Sequence, residues 1–201
     1  MNYKICSVVL AAGSSRRMKL GNKLMLKIKN KTILSQTIEN ILYSDFSYSI
    51  VITGHQNKII KKLLNEYEIF SYYNPKYKEG ISTSIAVGIN SLKPYTDGVM
   101  ICLSDMPGIT KNTYNLLIAA FNKKYEKNKP LIVIPEYNKK KGNPILFSKH
   151  FFSKLKNLKG DIGAKNLIKK NNEHTLNIKI NEETIFTDID TAEAYEKFKK
   201  N

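Results

Sequence analysis

The chain has 201 residues, 42% of them hydrophobic, which is enough for one domain to bury a continuous core without disulfides or structural metals. Lys and Arg total 33 against 17 Asp and Glu, a net charge of +16, yet the lysines are scattered from end to end and form no single stripe. That scatter argues against a nucleic-acid surface, as do the 12 tyrosines and 8 phenylalanines, which fall at core and helix positions instead of on one basic face. No apolar run approaches the roughly 20 residues of a membrane span, so no membrane association is expected.

Taken in chain order, Met1 to Lys4 lead straight into the apolar run Ile5 to Leu10, which is too short for the core of a secretion signal. Cys6 within that run and Cys102 in a later one read as small buried residues, and the expected setting is reducing and cytoplasmic. Strand-length apolar runs recur at Tyr48 to Thr53, Gly98 to Leu103 and Leu131 to Pro135. Between and after them, helical spacing covers Ile33 to Leu42, Ile59 to Tyr67, Ile85 to Leu92, Thr113 to Phe121 and Ala192 to Phe198. The alternation predicts an α/β chain with a mostly parallel sheet flanked by helices. Residues 139–186 break it with Gly142-Asn143-Pro144, a short Ile145-Leu146-Phe147 run and the turn Gly160-Asp161-Ile162-Gly163, and they are expected to be a small insertion or lid built on the sheet. With no repeat and no linker-like tract, residues 1–201 read as a single domain.

The first strand empties into Ala11-Ala12-Gly13-Ser14-Ser15-Arg16-Arg17-Met18, followed by Gly21-Asn22-Lys23. Small residues let backbone N–H groups come close to a polyphosphate, and Arg and Lys neutralise charge that builds when an α-phosphate is attacked. The spacing is neither GxxxxGK[ST] nor GxGxxG, and a small-residue turn after a first strand also serves tight packing. Asp105, at the end of the Gly98 to Leu103 strand, stands where open sheets place ligands, although an aspartate there also caps helices. Asp188-Ile189-Asp190 offers two more acids; in an extended segment these face opposite ways, so one of them would face a shared cation. Asp190 also suits the cap of the last helix, with Thr191 and Glu193 beside it. His55, His150 and His174 lack metal-ligand spacing.

The run Leu10 to Met18 with Lys23 matches the LAAGxSxRM signature and its following lysine, and further blocks follow in order. These are Asn74-Pro75 with Gly80-Ile81-Ser82-Thr83-Ser84, Ser104-Asp105-Met106-Pro107, Gly142-Asn143-Pro144-Ile145-Leu146-Phe147, Gly160-Asp161-Ile162-Gly163-Ala164 and Asp188-Ile189-Asp190-Thr191. On these motifs the chain resembles the molybdenum cofactor nucleotidyltransferases of the MobA-like NTP transferase family, and among them the cytidylyltransferases. It departs from the family's DIDTPED at Ala192 and Ala194, which stand for the proline and the last acid.

The resemblance implies a Rossmann-like nucleotidyltransferase fold and a set of roles. Leu10, Ala11, Ala12 and Gly13 would bind the nucleotide, with Arg17 and Lys23 on the triphosphate. Ala12 stands where cytidine-selecting members carry alanine, which favours CTP. Ser82 and Ser84 would meet the base or ribose, unless they serve the helix start. Asp105 and Asp190 would hold Mg²⁺, with Asp188 as the alternative to Asp190. Gly142, Asn143, Pro144 and Asp161 would lie toward the acceptor, Asp161 being either a site acid or a helix cap. The implied reaction moves CMP from CTP to the phosphate of molybdopterin cofactor and releases pyrophosphate, in support of a molybdenum hydroxylase. Rival readings are a guanylyltransferase on the same cofactor, a transferase acting on a sugar or alcohol phosphate, and a non-catalytic cofactor carrier. The carrier has no need of a metal-and-triphosphate constellation.

Overall fold

The computed structural model describes residues 2–15, 18, 21–127 and 129–200. Its main sheet is built on β1 (Ile5–Ala11), which is buried along its whole length. Ile5, Val9 and Ala11 point into one core and Cys6, Val8 and Leu10 into another on the opposite face, the two-sided burial expected of a central parallel strand. β4 (Tyr48–Thr53) and β6 (Gly98–Leu103) flank β1, both parallel to it, and β5 (Phe70–Tyr73) forms the edge beyond β4. A two-stranded hairpin, β2 (Lys27–Ile28) with β3 (Lys31–Thr32), stands apart from the main sheet.

One face is covered by α1 (Ile33–Leu42), α2 (Asn57–Leu64), α4 (Lys111–Lys124) and α7 (Ala192–Lys200). The other carries α3 (Ile81–Asn90), α5 (Phe152–Lys156) and α6 (Lys165–Lys170). Apolar residues three and four apart decide which face each helix buries. On α1, Leu34, Ile38 and Ile41 are fully buried while Asn40 is not. Each such side chain contributes about 1.5–3 kcal/mol relative to exposure. α1 begins where Thr32 Oγ1 accepts the Ser35 N–H at 3.0 Å.

The zone 139–186 differs from the expected lid because its strands are woven into the sheet. β9 (Ile145–Ser148) runs antiparallel between β6 and β7 (Ile132–Tyr137), β8 (Lys140–Lys141) pairs with β7, and β10 (Thr175–Lys179) lies parallel to β7 at the far edge. The reason is hydrophobic: Leu146 and Phe147 are fully buried on opposite faces, which a lid on the surface would not permit.

Candidate active site

The strand order reverses at β1, with β4 and β5 to one side and β6 to the other. In open α/β sheets the crevice outside the carboxyl ends of strands at such a reversal is where ligands bind. A cavity of about 500 Å³ opens there, lined by Ala12, Gly13, Ser14 and Ser15 after β1 and by Leu103, Ser104 and Asp105 at the end of β6. Pairing of Leu10 with Leu103 keeps the two loops side by side. They are tied down from below: Ser104 Oγ donates to the Leu10 carbonyl at 2.7 Å, and Thr37 Oγ1 donates to the Ser104 carbonyl at 3.1 Å. Among the described residues beyond its chain neighbours, a Cβ placed on Gly13 would meet no atom within 4 Å, so this glycine leaves open space beside the cavity.

Three carboxylates converge at one end. Asp105, Asp188 and Asp190 each offer an oxygen, and these lie within 4.8 Å of one another. The Ile189 N–H donates to the Asp105 carbonyl at 3.0 Å and the Ile189 side chain is fully buried, so the two acid-bearing segments are joined by main chain and core together. The expectation that Asp188 and Asp190 face opposite ways is corrected here. Residues 187–190 are not strand, and strand alternation does not apply to them. At the head of α7 it is Thr191 Oγ1 that accepts the Ala194 N–H, at 3.2 Å, and the residue before α4 is Thr110 and not Asp105.

Lys23 binds this cluster. Its Nζ donates to both Asp105 Oδ2 and Asp190 Oδ1. It opens a short 3₁₀ turn, Lys23–Met25, whose Leu24 N–H is accepted by Asn22 Oδ1 at 3.1 Å. Burial pushes the Lys23 ammonium pKa down, but Asp105 and Asp190 outweigh burial and hold it above the ordinary lysine value. The Asp188 carboxyl is held above its ordinary value by burial first and then by Asp190 and Asp105; the attraction of Lys23 does not cancel these. Three converging carboxylates offer the hard oxygen donors that suit a divalent cation such as Mg²⁺ or Mn²⁺.

The other expected residues separate. Leu10, Ala12, Gly13, Ser84 and Asp161 line the cavity together with Lys23, Asp105 and Asp190. Ala11 is buried in β1 on the face away from α3. Ser82 is fully buried, its hydroxyl has no hydrogen-bond partner among the described residues, and it does not line the cavity. The reason is helical geometry, since residues two apart on a helix point about 200° away from each other, and Ser84 takes the cavity side. Asp161 Oδ1 accepts the Ile81 N–H at 3.0 Å and so caps α3 from a distant loop. Gly142, Asn143 and Pro144 stand outside the cavity lining, and the first two lie against Ile185: the Asn143 N–H donates to the Ile185 carbonyl at 2.9 Å, and a Cβ on Gly142 would stand 2.6 Å from that oxygen. The Asn143–Pro144 peptide is cis. Arg17 lies outside the described residues. Tyr77, Lys78 and Glu79 also line the cavity and carry no spacing signal in the sequence.

The MobA-like NTP transferase domain matches residues 7–175, a range that takes in the strand-end loops and Asp105. The chain belongs to that family. Its relatives include the molybdenum cofactor cytidylyltransferase of Escherichia coli K12, 31% identical over 143 residues, covering 71% of this chain and 69% of that one. The purine catabolism protein PucB of Bacillus subtilis is 27% identical over 212 residues, covering 98% and 96%. Among solved structures, Rv0371c of Mycobacterium tuberculosis H37Rv superposes with a TM-score of 0.87 over the whole of both chains at 22% identity. A manganese complex of the same mycobacterial protein gives 0.81 at 22% identity, covering 98% and 99%. The fold is the Rossmann-like fold of nucleotidyltransferases, and this member of the MobA-like family is a nucleotidyltransferase. Among the described residues no helix is long and apolar enough to cross a membrane.

Proposed function

We propose that the cavity at the β1/β6 switch point takes CTP as donor and the phosphate of molybdopterin cofactor as acceptor, transferring CMP and releasing pyrophosphate in a Mg²⁺-dependent reaction. The observation that carries the reading is the meeting of the Gly13 loop, Lys23, Asp105 and Asp190 around one 500 Å³ cavity, with Asp188 beside the two acids, in a chain of the MobA-like family. Support for this donor and acceptor comes from the E. coli relative, a molybdenum cofactor cytidylyltransferase. Support for a divalent metal comes from the carboxylate cluster and from the neighbour that was solved with manganese.

Asp105 and Asp190, with Asp188 within reach, would hold the cation, which when bound neutralises the polyphosphate. Lys23, already poised between those carboxylates, keeps its proton and brings a fixed positive charge to the phosphate end. Gly13 leaves the main chain bare for close approach. In the transfer a phosphate oxygen of the acceptor forms a bond to the α-phosphorus, and the bond from that phosphorus to the bridging oxygen breaks. Pyrophosphate leaves with the electron pair. An acceptor phosphate is ionised near neutrality, so no strong base is required, and no histidine is found among the cavity's lining residues. The test is pyrophosphate release with Mg²⁺ and each of CTP, GTP, ATP and UTP, with and without molybdopterin cofactor. Release with CTP only when cofactor is present is the expected result. Release with GTP would move the reading to a guanylyltransferase, and silence with every pair would overturn this choice of acceptor.

A further inference from the structure

Asn74 follows the edge strand β5, is 1% exposed, and reaches the cavity lining through a hydrogen bond to Ser84. Its backbone N–H donates to the Thr53 carbonyl at 2.8 Å, and its Oδ1 accepts the Lys76 N–H at 2.9 Å. Because a backbone N–H can only donate, the orientation of the side-chain amide is settled, and the other terminal atom is the two-proton donor Nδ2. Both protons are used, one on Thr83 Oγ1 and one on Ser84 Oγ, each at 2.9 Å.

The two hydroxyls then differ. Thr83 Oγ1 passes its own proton to the Gly80 carbonyl at 2.9 Å or the Lys76 carbonyl at 3.0 Å. Ser84 Oγ accepts from Asn74, and no described residue accepts the Ser84 proton. Ser84 is 3% exposed and lines the cavity, so that proton is presented to whatever fills it.

The surroundings say what kind of atom would meet it. On the α3 side Leu10 and Ile81 belong to one core, while Leu24 beside Lys23 belongs to the core on the opposite face, so Ser84 sits with the apolar part of the lining. Of the described charged groups lining the cavity at the head of α3, Glu79 and Asp161 are acidic and Lys78 is basic, and Asp161 already fills the α3 N-terminus. A neutral acceptor atom fits this end better than a phosphate.

We infer that Asn74 is a positioning residue that fixes Ser84 as a hydrogen-bond donor to a carbonyl oxygen or ring nitrogen on the base of the donor nucleotide. This rests on the nucleotide reading above. A ligand N–H at that place would leave the hydroxyl proton stranded, so the pair selects for an acceptor edge.

The test is calorimetric titration, with Mn²⁺ present, of wild-type protein and the variants Ser84→Ala, Asn74→Asp, Thr83→Ala and Asn74→Asp/Ser84→Ala. The probes are CTP, UTP, GTP, ATP and inorganic tripolyphosphate, and each variant is also melted without ligand. Ser84→Ala and Asn74→Asp should each weaken the preferred nucleotide about tenfold and leave tripolyphosphate unchanged, and the double variant should lose little more than either alone. Thr83→Ala lowers the melting temperature and leaves nucleotide affinity as it was. Should Asn74→Asp melt below the assay temperature, Asn74→Ala carries the same expectation without burying a charge. Wild-type-like nucleotide binding by Ser84→Ala, or losses that multiply in the double variant, overturns the inference and leaves the nucleotide reading intact. Failure of the wild-type protein to bind any nucleotide overturns both, and that outcome is distinct from the first.

Discussion

The Asp161 carboxylate accepts the backbone N–H of Ile81 at 3.0 Å across 80 residues of chain, and the neighbouring Gly160 carbonyl accepts the Ser82 N–H at 3.3 Å. Gly80, with φ of 110°, lets this happen, because a Cβ there would stand 2.6 Å from the Gly160 oxygen. Asp161→Ala should therefore cost about 1 kcal/mol, the usual worth of a helix cap, seen as a drop of about 2–4 °C in melting temperature. Asp161→Asn keeps an accepting oxygen and should melt close to wild type. If Asp161→Asn melts normally yet loses turnover, the charge acts on substrate as well as on the helix.

Two glycines separate ligand space from packing space. Gly13→Ala should leave the melting temperature unchanged, since its Cβ would meet no described residue beyond its chain neighbours, while nucleotide affinity falls. Gly54→Ala would push a Cβ to 2.6 Å from Tyr77 Cβ and 2.7 Å from Ala12 Cβ, and overpacking of that kind costs about 1–3 kcal/mol. Paired thermal melts and nucleotide titrations of the two variants check the contrast. A destabilised Gly13→Ala would show that its space belongs to the fold.

The aspartate cluster predicts a ranking. Asp105→Asn and Asp190→Asn should each weaken Mn²⁺ binding by more than the about 10–100-fold that loss of an outer partner costs, and both should abolish metal-dependent turnover without loss of fold. Asp188 is the most exposed of the three, and Asp188→Asn should weaken Mn²⁺ less. Electron paramagnetic resonance titration of free Mn²⁺ reads the ranking directly. Wild-type activity in Asp105→Asn would sink the metal assignment.

Metal-free protein should also carry an acid-side signature from Asp188. Its folded pKa is raised, so its contribution to stability is whole below the unfolded value and is lost as pH rises through the folded one. Stability of the chelated protein should fall with rising pH just above the ordinary carboxylate range, and Asp188→Asn should remove that slope in denaturant titrations.

The thiols give a prediction remote from the site. Burial pushes Cys6 up to about 12 and Cys102 well above the ordinary thiol value, and the two sit on opposite faces of the sheet. Both should be unreactive toward a thiol reagent in native protein and react fully once unfolded. With raised folded values, their contribution is whole below about 8.5, the unfolded thiol range, and declines as pH climbs toward the folded values. Cys6→Ala should flatten that alkaline decline.

What the sequence made legible follows from burial. β4, β6 and α1 have the bounds that their apolar patterns predict, because each is buried on a continuous face. β5 leaves no such pattern, because an edge strand with Phe70, Tyr72 and Tyr73 exposed has no buried face to impose one. α3 starts at Ile81, four residues before its apolar spacing begins, since its cap comes from Asp161 and not from a neighbour. The same limit applies at the site. Asp105 and Asp190 can be picked out by motif, but the bond between Ile189 and Asp105 that lets Asp188 join them is a matter of main-chain geometry. Asn74 is visible as a motif letter with no role, because its effect passes through the orientation of an amide.

Lys23 reaches Asp105 over 82 residues of chain and Asp190 over 167. During synthesis, the strand-end loop and Asp105 leave the ribosome long before the segment that carries Asp188 and Asp190, and domains generally fold as units. A nascent chain that has not yet delivered this segment lacks Asp190, the second acid of the proposed metal site. If Asp190 holds the cation, as proposed, the metal site is complete only once the segment that carries it has docked on Asp105 through Ile189.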